Sequence, residues 1–193
     1  RYELRGSGRF GFAVTGWNRT DKLIIDPGLI WSGYLGSTQG IADQVKSVAI
    51  GVHGETTVAG STDYFDFPKT PGAFSTPFRL AGARAFVTKI HPDGSHLQFS
   101  VVLGGNVNTG GVSSTYSTGV HCLADGTVLA AGRTNNVDFP TTPSAFDPAK
   151  STEFGTYCGF ALRLRREGGA PEDSTMLEGG GKPEVPRLSA TPA

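Results

Sequence analysis

The strongest constraint on this chain is that one stretch of it occurs twice. Residues 60–74 read Gly-Ser-Thr-Asp-Tyr-Phe-Asp-Phe-Pro-Lys-Thr-Pro-Gly-Ala-Phe, and residues 132–146 read Gly-Arg-Thr-Asn-Asn-Val-Asp-Phe-Pro-Thr-Thr-Pro-Ser-Ala-Phe. The offset is 72 throughout (60 to 132), without a gap, and nine of the fifteen positions are identical. The repeat motif is carried by Gly60, Thr62, Asp66, Phe67, Pro68, Thr70, Pro71 and Phe74 in the first copy. In the second it is carried by Gly132, Thr134, Asp138, Phe139, Pro140, Thr142, Pro143 and Phe146. A match of this length marks a repeat architecture, in which each unit buries its apolar surface against its neighbours.

The flanks repeat as well. In the first unit Val48, Ile50 and Val52 alternate, which predicts a strand with one buried face. Thr56–Ser61, Ala85–Ile90 and His96–Leu103 follow as strands, with Asp93-Gly94 as a hairpin signal between the last two. The second unit restates them as Val120–Leu123, Thr127–Ala131, Phe160–Leu164 and Ser174–Leu177. Before the repeats, Arg9–Trp17 alternates, Asn18–Asp21 is turn chemistry, and Leu23–Ile25 begins a return strand that Pro27 breaks. Asn18-Arg19-Thr20 matches a glycosylation sequon and reads as an exposed turn. Leu29–Gly36 is the next expected strand, ending in Leu-Gly as residues 103–104 do.

Four antiparallel strands, tight turns and one long loop in each unit describe a propeller blade. The expected fold is all-β: a β-propeller fragment of two four-stranded antiparallel blades plus an N-terminal β-hairpin. Its parts are the hairpin and junction strand (1–36), blade 1 (37–105), blade 2 (106–178) and a disordered tail (179–193) rich in Gly, Pro and charge. The chain begins at Arg1 in mid-pattern and reads as a fragment or processed product, so the lack of a targeting segment says nothing of the parent.

Composition narrows the function classes. Charged residues make up only 18%, and 17 Lys+Arg balance 17 Asp+Glu, so the basic footprint of a nucleic-acid binder is missing. No apolar run approaches the roughly 20 residues of a membrane helix. Cys122 and Cys158 form no metal motif; they read as two partly buried thiols, with a disulfide as the alternative in a secreted parent. The strand between theirs is expected to keep them apart.

The residues resemble the bacterial SBBP repeat, named for a seven-bladed β-propeller. The first unit carries Val58-Ala-Gly-Ser-Thr62, Asp66 to Phe74, Ala85 to Lys89, Pro92-Asp-Gly94 and Leu103-Gly-Gly105. The second departs in its last two strands, with Leu162-Arg-Leu164 and Leu177-Glu-Gly179. Leu23 to Gly36 is similar to the junction that precedes such repeats in large secreted or cell-surface bacterial proteins. The resemblance implies an extracellular or cell-envelope location. It carries no catalytic residue set.

Candidate chemistry is sparse. Asp66 and Asp138 stand before Phe-Pro, where an Asp accepts backbone N–H bonds two residues on and locks a turn. Asp63, Asp66 and Asp138 are also weak Ca²⁺ candidates, since Ca²⁺ takes several oxygen ligands; the turn reading is preferred. Phe67, Phe74, Phe139 and Phe146 repeat at the structural period and read as core between blades rather than a sugar platform. His91 and His96 flank one hairpin and could approach each other, but exposed turn positions are the preferred reading; none of the four His, with His53 and His121, shows metal spacing on a shared face.

No catalytic residue, cofactor-binding loop or strong metal site can be named, so the chain is read as no enzyme. The first function is a non-catalytic propeller segment acting as scaffold or interaction surface. The alternative is part of a propeller-fold polysaccharide hydrolase or lyase whose site is shared with missing blades. Expected partners are further blades of the same parent chain, or self-association, through an apolar patch at Phe160, Leu162 and Leu164 or their neighbours.

Overall fold

The computed structural model describes residues 2–5, 9–12, 14–18, 20–22, 28–39, 42–77, 82–107, 111–148 and 156–177. Among them every regular element is a strand, and no helix is long and apolar enough to cross a membrane. The chain divides into two compact units, Arg1–Ile30 and Trp31–Ala193.

The first unit is a hairpin of β1 (Tyr2–Arg5) and β2 (Arg9–Phe12), with Tyr2 opposite Phe12. It differs from the expected hairpin, because β2 ends at Phe12 although the alternation continues to Trp17. The turn at Asn18 is present, with the Asp21 amide donating to the Asn18 carbonyl at 2.9 Å. The expected return strand at Leu23–Ile25, the Pro27 break, Arg19 of the sequon and the 179–193 tail lie outside the described residues.

The second unit holds two four-stranded antiparallel sheets. Blade 1 is β3 (Gln44–Ile50), β4 (Thr56–Thr62), β5 (Arg84–Ile90) and β6 (Leu97–Leu103), paired in that order. Blade 2 is β7 (Thr115–Cys122), β8 (Val128–Thr134), β9 (Cys158–Leu164) and β10 (Asp173–Leu177), with the same meander. The registers correspond: Val48, Val58, Thr88 and Ser100 form one row of blade 1, and Val120, Ala130, Leu162 and Ser174 the matching row of blade 2. Each first strand has a bulge at the equivalent place, between Val45 and Ser47 and between Ser117 and Gly119. The repeated glycine explains it. A Cβ on Gly60 would collide with the Gln44 carbonyl oxygen, and one on Gly132 with the Tyr116 carbonyl oxygen, so only glycine lets the bulged backbone approach.

The blades stack head to tail. One face of blade 1 offers Ala59, Ala85, Val87, Phe99, Val101 and Leu103 to the core. Blade 2 meets it with the opposite face, through Val120, Ala130, Phe160, Leu162, Leu164 and Met176. All of these are buried, as expected for sheets whose apolar faces cannot be covered within one unit. The expectation for β3 is thereby corrected. Val48, Ile50 and Val52 are 61%, 64% and 62% exposed, because β3 turns Ser47 and Ala49 inward and its larger side chains away from the neighbouring blade. The periodicity identified a strand, but the buried side is the one with small residues.

The long loop of each unit covers the edge of its own fourth strand. Thr70 and Ser100 bond to each other twice, the Thr70 amide to the Ser100 carbonyl at 3.4 Å and the Ser100 amide to Thr70 Oγ1 at 2.9 Å. Thr142 and Ser174 repeat the exchange at 3.0 and 3.1 Å. The loop thus fills an edge that would otherwise offer free ladder positions.

Residues 29–36 are not a strand. The boundary between the two units falls after Ile30, so Trp31–Gly36 belong with the blades rather than with the hairpin. Leu35 packs on Phe67, Phe86 and Val102. Trp31 lies on Gly94 and donates its indole N–H to the Pro92 carbonyl at 3.0 Å. In blade 2 the matching Gly168 is covered by Phe99 of β6. The segment therefore makes against blade 1 the contacts that β6 makes against blade 2, without strands beside it to pair with.

Candidate functional site

Three places in the blades bring polar or exposed apolar groups together. The first is the junction where each Asp-Phe-Pro motif meets the chain entering its blade. Asp138 Oδ2 accepts the Asn106 amide and Oδ1 the Val107 amide, both at 2.8 Å. Asp66 Oδ2 accepts the Thr38 amide at 3.0 Å and also the Thr38 hydroxyl. Both aspartates thus accept backbone N–H bonds, as expected, but from residues 28 to 32 positions upstream, beyond the first two strands of their blade, rather than two residues on. Each one ties the connection from the previous unit to the blade it enters. The Thr38 hydroxyl and amide hold the Asp66 carboxyl below its usual value.

The local turn is made by threonine instead. The Tyr64 amide donates to Thr62 Oγ1 at 3.2 Å, and the Asn136 amide to Thr134 Oγ1 at 3.1 Å. Sequence reasoning named Thr62 and Thr134 only as conserved between the copies; a hydroxyl two residues before a turn amide was the missed signal. In blade 2, Asn136 Oδ1 also accepts the Gly105 amide at 3.2 Å and the Thr115 hydroxyl at 2.9 Å. Blade 1 supplies that acceptor from another position. Asp43, just before β3, accepts the Ser37 amide at 2.5 Å and the Ser37 hydroxyl at 2.7 Å. Burial pushes the Asp43 carboxyl up, but bonds from Thr62 and Ser37 outweigh it and leave the group lowered. Among the Ca²⁺ candidates, Asp63 is exposed and its carboxyl is raised by burial and by the nearby Asp43 charge. Asp66 faces Thr38, and Asp138 lies in the other blade.

The second place is the pair of outer blade faces. Phe67 stacks on Phe86 at 4.4 Å and Phe139 on Phe160 at 4.5 Å, so these two motif phenylalanines are core in both copies. Phe74 packs against the inter-blade core, and its amide donates to the Gly168 carbonyl of blade 2 at 2.9 Å. Phe146, its counterpart, is 90% exposed, which corrects the expectation that all four are core. Among the described residues no further strand lies beyond β10. Beside Phe146 lies a cavity of about 300 Å³ lined by Leu129, Ala145, Phe146, Ala161, Arg163 and Thr175. The expected patch at Phe160, Leu162 and Leu164 is also corrected: these residues are buried against blade 1, and the exposed surface is on the other side of the same sheet.

A charged pair of blade 1 lies buried at the interface between the blades. Lys89 Nζ lies 3.6 Å from Glu55 Oε1 and donates to the Gly126 carbonyl of blade 2 at 3.1 Å. Both side chains are buried. Burial raises the Glu55 carboxyl, but the backbone N–H groups of Glu55 and His53 and the Lys89 ammonium hold it below its ordinary value. The strands that carry Cys122 and Cys158, β7 and β9, are separated by β8, as expected, and Cys122 donates to Thr57 Oγ1 at 3.2 Å.

The third place is the β5–β6 turn, where His91, Asp93 and His96 meet. The rings of His91 and His96 stack with centroids 4.6 Å apart. His91 Nδ1 lies 2.7 Å from Asp93 Oδ1, which also accepts the Ser95 amide at 2.9 Å. Bonds from Ser95 and His91 draw the Asp93 carboxyl well below the usual carboxylate range. The approach of the two histidines across the hairpin was legible in the sequence, and the convergence of Asp93 with them was not. No family model and no curated protein matches this chain.

Proposed function

We propose that this chain is a non-catalytic β-propeller repeat segment of the SBBP type, from an extracellular or cell-envelope bacterial protein. It works as a scaffold that stacks on further blades and as an interaction surface. One observation carries the reading. The face of blade 2 that holds Val120 is buried on blade 1, whereas the matching face of blade 1 leaves Val48 and Ile50 exposed. The far face of blade 2 likewise leaves Phe146 and Leu177 exposed. Each end of the pair thus offers the surface that, at the internal junction, takes a neighbouring blade. Exposed apolar side chains grouped on a sheet face mark association surfaces.

Sedimentation velocity over a range of concentrations tests the reading. The isolated chain is expected to self-associate, and Ile50→Lys or Leu129→Lys is expected to return it toward monomer. A monodisperse wild-type monomer with one sharp, reversible unfolding transition would sink the reading. It would mean that the two sheets form a self-sufficient domain.

A further inference from the structure

We propose that the β5–β6 turn of blade 1 is a binding site for a divalent transition-metal cation of the zinc, nickel or copper type, held by His91, Asp93 and His96. Each residue offers one ligand atom, and these atoms all lie within 4.8 Å of one another. The donor set is two imidazole nitrogens and one carboxylate oxygen. That combination suits borderline transition metals and is poor for Ca²⁺ or Mg²⁺, which prefer all-oxygen shells.

The backbone fixes the three donors on one short frame. The His91 amide donates to the His96 carbonyl at 3.0 Å and the Gly94 amide to the His91 carbonyl at 2.9 Å, so the histidines open and close the turn. Pro92 locks φ between His91 and Asp93, and Trp31 braces the turn from behind through Gly94 and the Pro92 carbonyl. His91 Nδ1 and Asp93 Oδ1 stand 2.7 Å apart, within hydrogen-bond distance. A metal ion would take both atoms as a chelate, with the imidazole hydrogen carried on His91 Nε2. Donors about 2.1 Å from a tetrahedral ion stand about 3.4 Å from each other, so rotation of the exposed His96 ring completes the set. His96 Nδ1 also meets Ser95 Oγ at 2.9 Å, which orients the ring. The remaining coordination positions face solvent and take water.

The blade itself does not require these residues. At the same turn of blade 2, an offset of 74 away (91 to 165), the chain reads Arg165-Arg166-Glu167-Gly168 and ends on Ala170 in place of His96. Only the glycine is common to both turns. It has positive φ in each, 73° at Gly94 and 71° at Gly168. The turn's fold is therefore set by glycine, and the three donors are additions to blade 1 alone.

Calorimetric titration of the intact chain with Zn²⁺, and with Ca²⁺ in parallel, tests the site. Zn²⁺ is expected to bind with one equivalent per chain while Ca²⁺ gives no heat. His91→Asn and His96→Asn are each expected to weaken Zn²⁺ at least about tenfold, the scale on which metal sites respond to lost support. Asp93→Asn, which can keep the turn bond to Ser95, separates loss of a ligand from loss of the hairpin: it should lower affinity with an unchanged melting temperature. Cys122→Ser, His53→Asn and His121→Asn should leave binding as it is. Cu²⁺ should in addition quench the fluorescence of Trp31, and Trp31→Phe should remove that quenching. No Zn²⁺ or Cu²⁺ binding, or binding that survives the His91→Asn/His96→Asn double variant, would overturn the proposal.

Discussion

Blade 1 and blade 2 share a meander, a bulge and a loop, yet they bury different parts of the same motif. Phe74 sits in the junction and bonds to Gly168, while Phe146 is 90% exposed. Val120 is 7% exposed, while Val48, its counterpart on β3, is 61% exposed. The sequence distinguishes neither pair, because a repeat records what a position does in an average unit. Burial in a stacked array depends on whether a neighbour is present, which is not a property of the unit. The comparison teaches that Phe67 and Phe139 are buried in both copies, each stacked on a phenylalanine of its own blade, and that Phe74 and Phe146 are inter-blade residues.

The sharpest break of that comparison comes from truncating these rings. Phe160→Ala removes a fully buried ring stacked on Phe139 and packed against blade 1, and should cost about 3–5 kcal/mol in urea unfolding. Phe74→Ala should cost less, since that ring is only partly buried. Phe146→Ala should stay within about 0.5 kcal/mol, as for other surface positions. A large cost at Phe146 would show that its face is covered in solution by another copy, and the cost would then fall with dilution.

Next in size is the cation at the matched position of the central strand. Lys89 is buried at the junction, and Arg163, at the corresponding place on β9, lies on the outer face with Asp125 at 2.7 Å and Glu172 at 3.2 Å. Lys89→Met strands the Glu55 carboxylate and should cost about 3 kcal/mol, the lower end for breaking a buried pair, because backbone N–H groups still hold Glu55. Arg163→Met should cost under about 1 kcal/mol, as exposed pairs do. The pair also has a pH signature. Glu55 is held below its ordinary value in the folded state. Its contribution is therefore present above the unfolded-state value of about 4.3 and is lost as pH falls through the lower folded value. Lys89→Met should flatten that acid loss, and Arg163→Met should leave it unchanged, as read from melting temperatures between about pH 6 and 3.

Most of the fold was legible because the repeat aligned two noisy strand patterns and let each confirm the other. All eight blade strands lie where the alternation or the offset placed them, within a few residues. What failed was side and context. Val48, Ile50 and Val52 gave the right period, but they are exposed in blade 1, whereas Val120 on the matching face of β7 is buried against a neighbouring blade. Leu29–Gly36 read as a strand from its apolar content, yet it packs as single side chains at Trp31 and Leu35, with no ladder partner. The candidate sites were harder still. Asp138 reaches back to Asn106 and Val107, Asp43 stands in for Asn136, and His91 meets His96 across a turn. The first is a tertiary contact across about 30 residues, which spacing alone does not encode.

The smallest expected effect separates the two aspartates. Asp138 uses both oxygens, one for each amide of Asn106 and Val107. Asp66 uses only Oδ2, for the Thr38 amide and hydroxyl, and its Oδ1 is buried without a partner. Asp138→Ala should cost about 0.5–2 kcal/mol, as for aspartates that cap backbone amides elsewhere. Asp138→Asn should recover little of it, because its Nδ2 would face one of the two amides, donor against donor. Asp66→Asn should be tolerated better, because its single oxygen can take the Thr38 side and its Nδ2 can turn to the position that lacks a partner. The urea midpoints of the two Asn variants should therefore rank Asp66→Asn above Asp138→Asn. Added Ca²⁺ should leave the wild-type midpoint unchanged. A reversed ranking together with a wild-type midpoint raised by Ca²⁺ would mean that the buried Asp66 Oδ1 serves a calcium ion with Asp63 and Asp43 nearby. Blade 1 would then differ from blade 2 by a cation as well as by its neighbours.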